Sequence, residues 1–98
     1  MRLLLVHTEV QVKYGAYAFQ HGLAALAAYV SRAGHRVELV HVGPRFDTRG
    51  YHRALRALRP HVVGFYVTED QLRFVRRLAE HPLCRAATAI AGGPMPSL

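Results

Sequence analysis

Apolar residues along the chain fall into four short runs separated by segments with helical spacing. The runs cover residues 2–6, 35–42, 62–67 and 86–91, and their length and apolar content are typical of strands. The intervening segments have helical periodicity from about residue 17 to 33, from 47 or 48 to 58 or 59, and for about ten residues ending near 81. The pattern predicts the element order β-α-β-α-β-α-β.

Local signals delimit the three predicted helices. The first presents an apolar stripe and ends at Gly34, a typical C-terminal cap, and the second ends before Pro60. The third follows T-x-x-Q at Thr68–Gln71, a sequence typical of a capping box. Inward-facing positions are expected to be Leu23, Leu26, Ala27 and Val30 in the first helix and Tyr51, Ala54, Leu55 and Leu58 in the second.

Single helices between successive strands predict an α/β fold with a parallel, three-layer sheet, because each right-handed crossover needs a helix. We predict the flavodoxin-like order 2-1-3-4, which places the most apolar strands centrally and strand 35–42 at an edge. The reverse, Rossmann-type order is the alternative.

Length and cysteine content narrow the class of protein. The 98 residues predict a single domain over 1–98, small enough that oligomerisation would supplement its core. Its single cysteine, Cys84, excludes an iron–sulfur cluster or an intramolecular disulfide built from this chain alone, and we expect it to serve in packing. The opening apolar run is too short for a signal peptide or a membrane span, so a cytoplasmic protein without membrane association is expected.

The chain is strongly basic, with a formal net charge of +7 and only one lysine, Lys13, among its thirteen Lys and Arg residues. Such charge can attract nucleic acid or acidic partners. We favour the simpler interpretation of a solvated helical face, which makes an arginine-mediated nucleic-acid binder the least favoured function. Two helices would bring six arginines to one surface, namely Arg49, Arg53, Arg56, Arg73, Arg76 and Arg77.

Candidate binding residues follow the predicted strands at their carboxyl ends, where open parallel sheets bind ligands at the switch in strand order. Three loops lie there, at residues 7–17, 68–71 and 92–96. Glycines in the last loop would allow close approach of a ligand to the backbone, although an ordinary turn is the simpler interpretation. The predicted site residues are His7, Thr8, Glu9, Tyr17, Thr68, Glu69, Gly92, Gly93 and Pro94.

Several familiar sites are excluded by their motifs. The chain has no G-x-G-x-x-G after its first strand and no P-loop, and it lacks the aspartates of a receiver domain. None of the seven histidines has a recognised metal-ligand spacing, so no metal site and no catalytic residue is predicted. His7 and His41 should end neighbouring strands and could approach each other, but strand ends routinely carry solvated histidines, so a ligand role is not favoured.

Three segments resemble a known family. They are GL-x-x-LAAY-x-x-x-AGH from Gly22 to His35, LRALRP-x-VVGF from Leu55 to Phe65, and GGP-x-PSL from Gly92 to Leu98. Together with the opening MRLLLV, they resemble the N-terminal cobalamin-binding domain of B12-binding radical S-adenosylmethionine proteins. The resemblance covers nearly the whole chain, in the family's order.

The resemblance implies a flavodoxin-like domain that holds cobalamin at the carboxyl edge of its sheet. In the family a separate barrel carries the cluster and the radical chemistry, and the CxxxCxxC motif of that barrel is absent here. The D-x-H-x-x-G motif that supplies a cobalt-ligating histidine in related domains is absent too, so no histidine inherits that role. Members continue past GGP through a helix, a fifth strand and a last helix, which implies that this domain is truncated, and Met95 stands where histidine is common.

Two functions therefore lead. The first is a cobalamin-binding module that is not an enzyme alone and acts with a separate radical-enzyme barrel chain. The second is a relative that has lost the cofactor and works by oligomerisation or protein binding. An apolar sheet face over the third and fourth strands, left uncovered by the missing last helix, predicts a homo-oligomer or a covering partner.

Overall fold

The computed structural model describes residues 1–11 and 21–92, and for residues 21–24 and 69 it describes the backbone alone. It contains a four-stranded, all-parallel sheet in the order 2-1-3-4, as predicted. The strands are β1 (Arg2–Thr8), β2 (Arg36–Val42), β3 (Val62–Tyr66) and β4 (Thr88–Gly92). The helices are α1 (His21–Arg32), α2 (Arg49–Leu58), α3 (Leu72–Ala79) and α4 (Pro82–Arg85).

The main core lies between the sheet and helices α2 and α3. Alternation along β1 sends Leu4 and Val6 to this face, where both are fully buried. The two helices present apolar stripes to the same cluster, so they cover one face of the sheet together. The buried cluster consists of Leu4, Val6, Val10, Val42, Tyr51, Leu55, Leu58, Val63, Phe65, Val67, Phe74, Val75, Leu78 and Cys84.

Helix α1 lies on the opposite face of the sheet. The chain moves across the sheet in one direction from β1 to β2 and in the other direction from β2 to β3, so right-handed crossovers place α1 and α2 on opposite faces. Helix α1 packs mainly on β2. Leu26 was expected to face inward but is 46% exposed, since a single helix over an edge strand cannot bury its whole apolar stripe. The other edge strand, β4, is exposed at every position, with Ile90 56% exposed.

Around the third helix, one local prediction is wrong and one helix was not predicted. Thr68 Oγ1 donates to the Asp70 carboxylate at 2.7 Å and the Gln71 side chain points into the core, so the capping box does not form. A 3₁₀ turn, Glu69–Gln71, precedes α3 instead. The chain then forms the unpredicted α4, whose first turn is capped by His81 Nδ1 accepting from Leu83 N–H at 3.1 Å.

The packing role expected for Cys84 agrees with its position in the core, where it is 1% exposed. Burial raises the pKa of its thiol. Tyr51 donates its hydroxyl to the carbonyl of Leu78 at 2.8 Å, which links α2 to the end of α3. Among the described helices, none is both long and apolar enough to cross a membrane.

Candidate functional site

The carboxyl ends of the four strands form one edge of the sheet, and the order of the strands reverses there between β1 and β3. The register aligns one residue from each strand across this edge on the α1 face. We call this set the edge row; it consists of His41, His7, Tyr66 and Gly92. Open parallel sheets bind ligands at such a reversal, so the edge row is the natural candidate site.

The rings of the edge row contact one another. The His7 and His41 ring centroids lie 5.3 Å apart, and the Tyr66 ring meets His7 edge-on, with centroids 5.4 Å apart. The predicted approach of the two histidines is therefore confirmed. At the β4 end, a Cβ added to Gly92 would meet none of the described residues within 4 Å.

Glu9 lies just beyond β1 and contacts both histidines. Its Oε1 lies 3.1 Å from His41 Nε2 and 3.8 Å from His7 Nδ1. The Glu9 side chain is only 10% exposed, the His7 side chain 13% and the His41 side chain 40%. We call these three residues the His–Glu triad.

Burial is the largest influence on His7 and lowers its pKa below the usual 6.5, and nearby His41 lowers it further. The Glu9 carboxylate acts in the opposite direction without reversing the shift. Burial therefore favours the neutral imidazole form of His7.

Gln71 fixes the loop that carries Glu9. Its side-chain oxygen accepts from Val10 N–H at 2.8 Å, and its Nε2 donates to the Val10 carbonyl at 2.9 Å. Glu9 N–H also donates to the Val42 carbonyl at 2.8 Å, which attaches the loop to β2. The loops after β1 and β3 are thus held together on either side of the reversal in strand order.

The structure brings most predicted site residues to this edge. His7 and Thr8 end β1, Thr68 follows β3, and Gly92 ends β4. Thr8 projects to the α2–α3 face, where its Oγ1 is buried without a hydrogen-bond partner among the described residues. Glu9 and Glu69 also lie at this edge, whereas Tyr17, Gly93 and Pro94 fall outside the described residues.

A shallow depression of about 240 Å³ borders the same edge beyond β2. Gly43, Pro44, Arg45 and Asp47 line it. A Cβ added to Gly43 would lie 4.0 Å from His41 Cε1, so the depression adjoins the His–Glu triad.

Motif spacing alone did not reveal the His–Glu triad. Residues 2–7 and 36–41 share the pattern R-x-x-x-x-H, and the parallel register pairs Arg2 with Arg36 and His7 with His41. That shared pattern was the available signal, because two parallel neighbours in register must bring their histidines side by side.

The six arginines of the predicted basic surface are all exposed, on two helices that cover one face of the sheet. Arg49 pairs with Asp47 at 2.7 Å, and this pairing lowers the pKa of Asp47 to about 2. The Arg73 and Arg77 guanidinium groups lie over the rings of Phe74 and Phe46, at 4.6 and 5.1 Å from their centroids. These contacts agree with the interpretation of a solvated helical face.

No family model matches the chain, and neither the curated proteins nor the solved structures give a significant match.

Proposed function

We propose that this chain is a cobalamin-binding module that holds the corrin ring against the carboxyl edge of its sheet. The observation that carries the proposal is the coincidence of predicted site residues with the reversal in strand order. His7 and Thr8 end β1, Thr68 follows β3 and Gly92 ends β4, so all four lie where this fold class binds its ligands.

The shape of the edge fits a large, flat ligand. None of the described residues fills the space above Gly92 or places a helix over the adjoining, exposed β4. At the other end, the depression beside Gly43 offers room for a ligand that extends past β2. His7 and Tyr66 stand between these two ends with their rings in contact.

The residues of this chain would bind and orient the cofactor. The Gln71 clamp on Val10 holds two of the contributing loops in place before any ligand arrives, so binding would require little ordering there. Cobalt chemistry would be supplied by the bound corrinoid, and the radical step would belong to a separate barrel chain, as the family resemblance implies.

Titration with hydroxocobalamin tests the proposal. We expect a saturable change in the visible spectrum and co-elution of the corrinoid with the protein in gel filtration. Gly92→Leu should weaken binding because its side chain would enter the space above the edge. Gly50→Leu is the matched control, since Gly50 lies in α2 and has equally open surroundings. An unchanged spectrum without co-elution would refute the proposal.

The exposed β4 strand favours a second candidate function, an interaction module without cofactor. Among the described residues, no strand pairs with the outer edge of β4, so this edge and the exposed Ile90 can pair with a second chain. This candidate predicts self-association with no corrinoid binding, so the same titration separates the two functions.

A further inference from the structure

The His–Glu triad has a geometry suited to a metal ion. One ligand atom from each of His7, Glu9 and His41 lies within 4.8 Å of the other two. With bonds of about 2.0–2.2 Å, a tetrahedral ion holds its ligand atoms roughly 3.4 Å apart. The distances of 3.1 and 3.8 Å from Glu9 Oε1 to the two imidazoles bracket that value. Small side-chain rotations would therefore bring all three atoms into bonding distance.

We infer that His7, Glu9 and His41 bind a divalent first-row transition-metal ion, for which Zn²⁺ is the representative probe. Two imidazoles and one carboxylate form a donor set that suits these ions and is poor for Mg²⁺ or Ca²⁺, which prefer oxygen ligands. Three protein ligands leave a fourth position for water or an anion. The site needs no corrinoid, although it shares His7 with the edge proposed to hold the corrin ring.

The backbone holds the three ligands in place without the ion. His7 and His41 are register partners on adjacent strands, which fixes the separation of their Cα atoms. Glu9 is attached to β2 through its N–H bond to the Val42 carbonyl, and the residue after it is clamped by Gln71. A preorganised site loses little conformational entropy when the ion binds.

The surroundings of the triad support the same assignment. The edge of the Tyr66 ring packs against His7 at an interplanar angle of 82°, which restricts rotation of the imidazole. Exposure rises from Glu9 through His7 to His41, so His41 is the most solvent-accessible of the three ligands.

Isothermal titration of Zn²⁺ into untagged, corrinoid-free, EDTA-treated protein tests the site. We expect one saturable equivalent per chain. His41→Asn should weaken binding roughly tenfold or more, because even the loss of an outer-shell contact costs 10–100-fold. The double variant His7→Asn/His41→Asn should lose the saturable phase. His52→Asn is the matched control, because the His52 and His81 rings also lie in contact, with centroids 4.9 Å apart. This variant should bind Zn²⁺ like the parent, which would show that a pair of neighbouring histidines alone does not make the site.

Imidazole NMR spectra supply a second measurement that does not depend on variants. Addition of Zn²⁺ should shift the ring signals of His7 and His41 and leave those of His61 and His81 unchanged, because both of these accept backbone hydrogen bonds elsewhere in the fold. Absence of saturable binding to the parent chain would overturn the inference. Equal affinity in the double variant, or ring shifts confined to other histidines, would overturn it as well. None of these outcomes depends on whether hydroxocobalamin binds.

Discussion

The side-chain amide of Gln71 pairs with both backbone polar groups of Val10, 61 positions earlier in the chain. Gln71 is 2% exposed and Val10 is equally buried, so this pair of hydrogen bonds is shielded from water. The contact joins the loop after β1 to the start of the third helical segment. It therefore serves the fold and the candidate site together.

Replacing Gln71 with leucine should lower the free energy of unfolding by about 2–6 kcal/mol, because two buried backbone groups would lose their partners at about 1–3 kcal/mol each. Urea denaturation measures the change. Gln11→Ala, which removes only the exposed bond from Arg73, should change stability by less than about 0.5 kcal/mol. Equal small effects from both substitutions would show that the amide clamp contributes nothing.

Tyr51 should show separable contributions from its hydroxyl and its ring. Tyr51→Phe removes the bond to the Leu78 carbonyl and should cost about 1 kcal/mol, since that carbonyl keeps the N–H of His81 as a donor. Tyr51→Ala also empties a fully buried position and should cost about 3–5 kcal/mol. Thermal and urea unfolding of both variants check the difference, and similar losses would contradict the proposed packing.

His81 should make stability depend on pH. Burial lowers its pKa, and nearby His52 and Arg56 lower it further. The unfolded chain then binds this proton at a higher pH than the folded chain, so protonation of His81 favours unfolding. The stability that accompanies neutral His81 is therefore present above about pH 6.5 and is lost as the pH falls toward the folded pKa. We expect the melting temperature to fall as the pH is lowered from 7.5 to 5.5, and to fall less steeply in the His52→Gln variant. Identical pH profiles for the two proteins would disprove the coupling.

The exposed face of β4 predicts self-association. Sedimentation equilibrium at micromolar concentration should give about twice the 11.0 kDa mass of one chain. Ile90→Lys should shift the protein toward the monomer because it places a charge on the exposed edge. Leu39→Lys, on the opposite edge strand, should leave the association unchanged. A parent protein that stays monomeric would contradict the prediction.

The strand order was predictable from the sequence because hydrophobicity and connectivity act together. The apolar runs at 2–6 and 62–67 required central positions, and the histidine-bordered strand 35–42 suited an edge. Right-handed crossovers then left few arrangements. The side chain of Gln71 was harder to assign, since its role depends on a loop residue 61 positions away that no local pattern indicates.

The candidate site was only partly predictable, because it too depends on contacts between distant segments of the chain. Sequence reasoning placed His7, Thr8, Glu9, Thr68 and Gly92 at the carboxyl edge, because strand ends follow from strand positions. It did not identify His41 as a site residue, since contact with Glu9 depends on the exact register of β1 and β2. A motif search detects residue spacing within one segment, whereas the three residues of the His–Glu triad come from two separate segments.

The most direct test of corrinoid binding at the carboxyl edge is a series of amide NMR spectra recorded during titration with hydroxocobalamin. The account predicts saturable shifts for the amides of His7, Thr68 and Gly92, with Arg36 and His61 at the opposite edge unchanged. The absence of shifts at excess ligand, or shifts centred on Arg36 and His61, would contradict it.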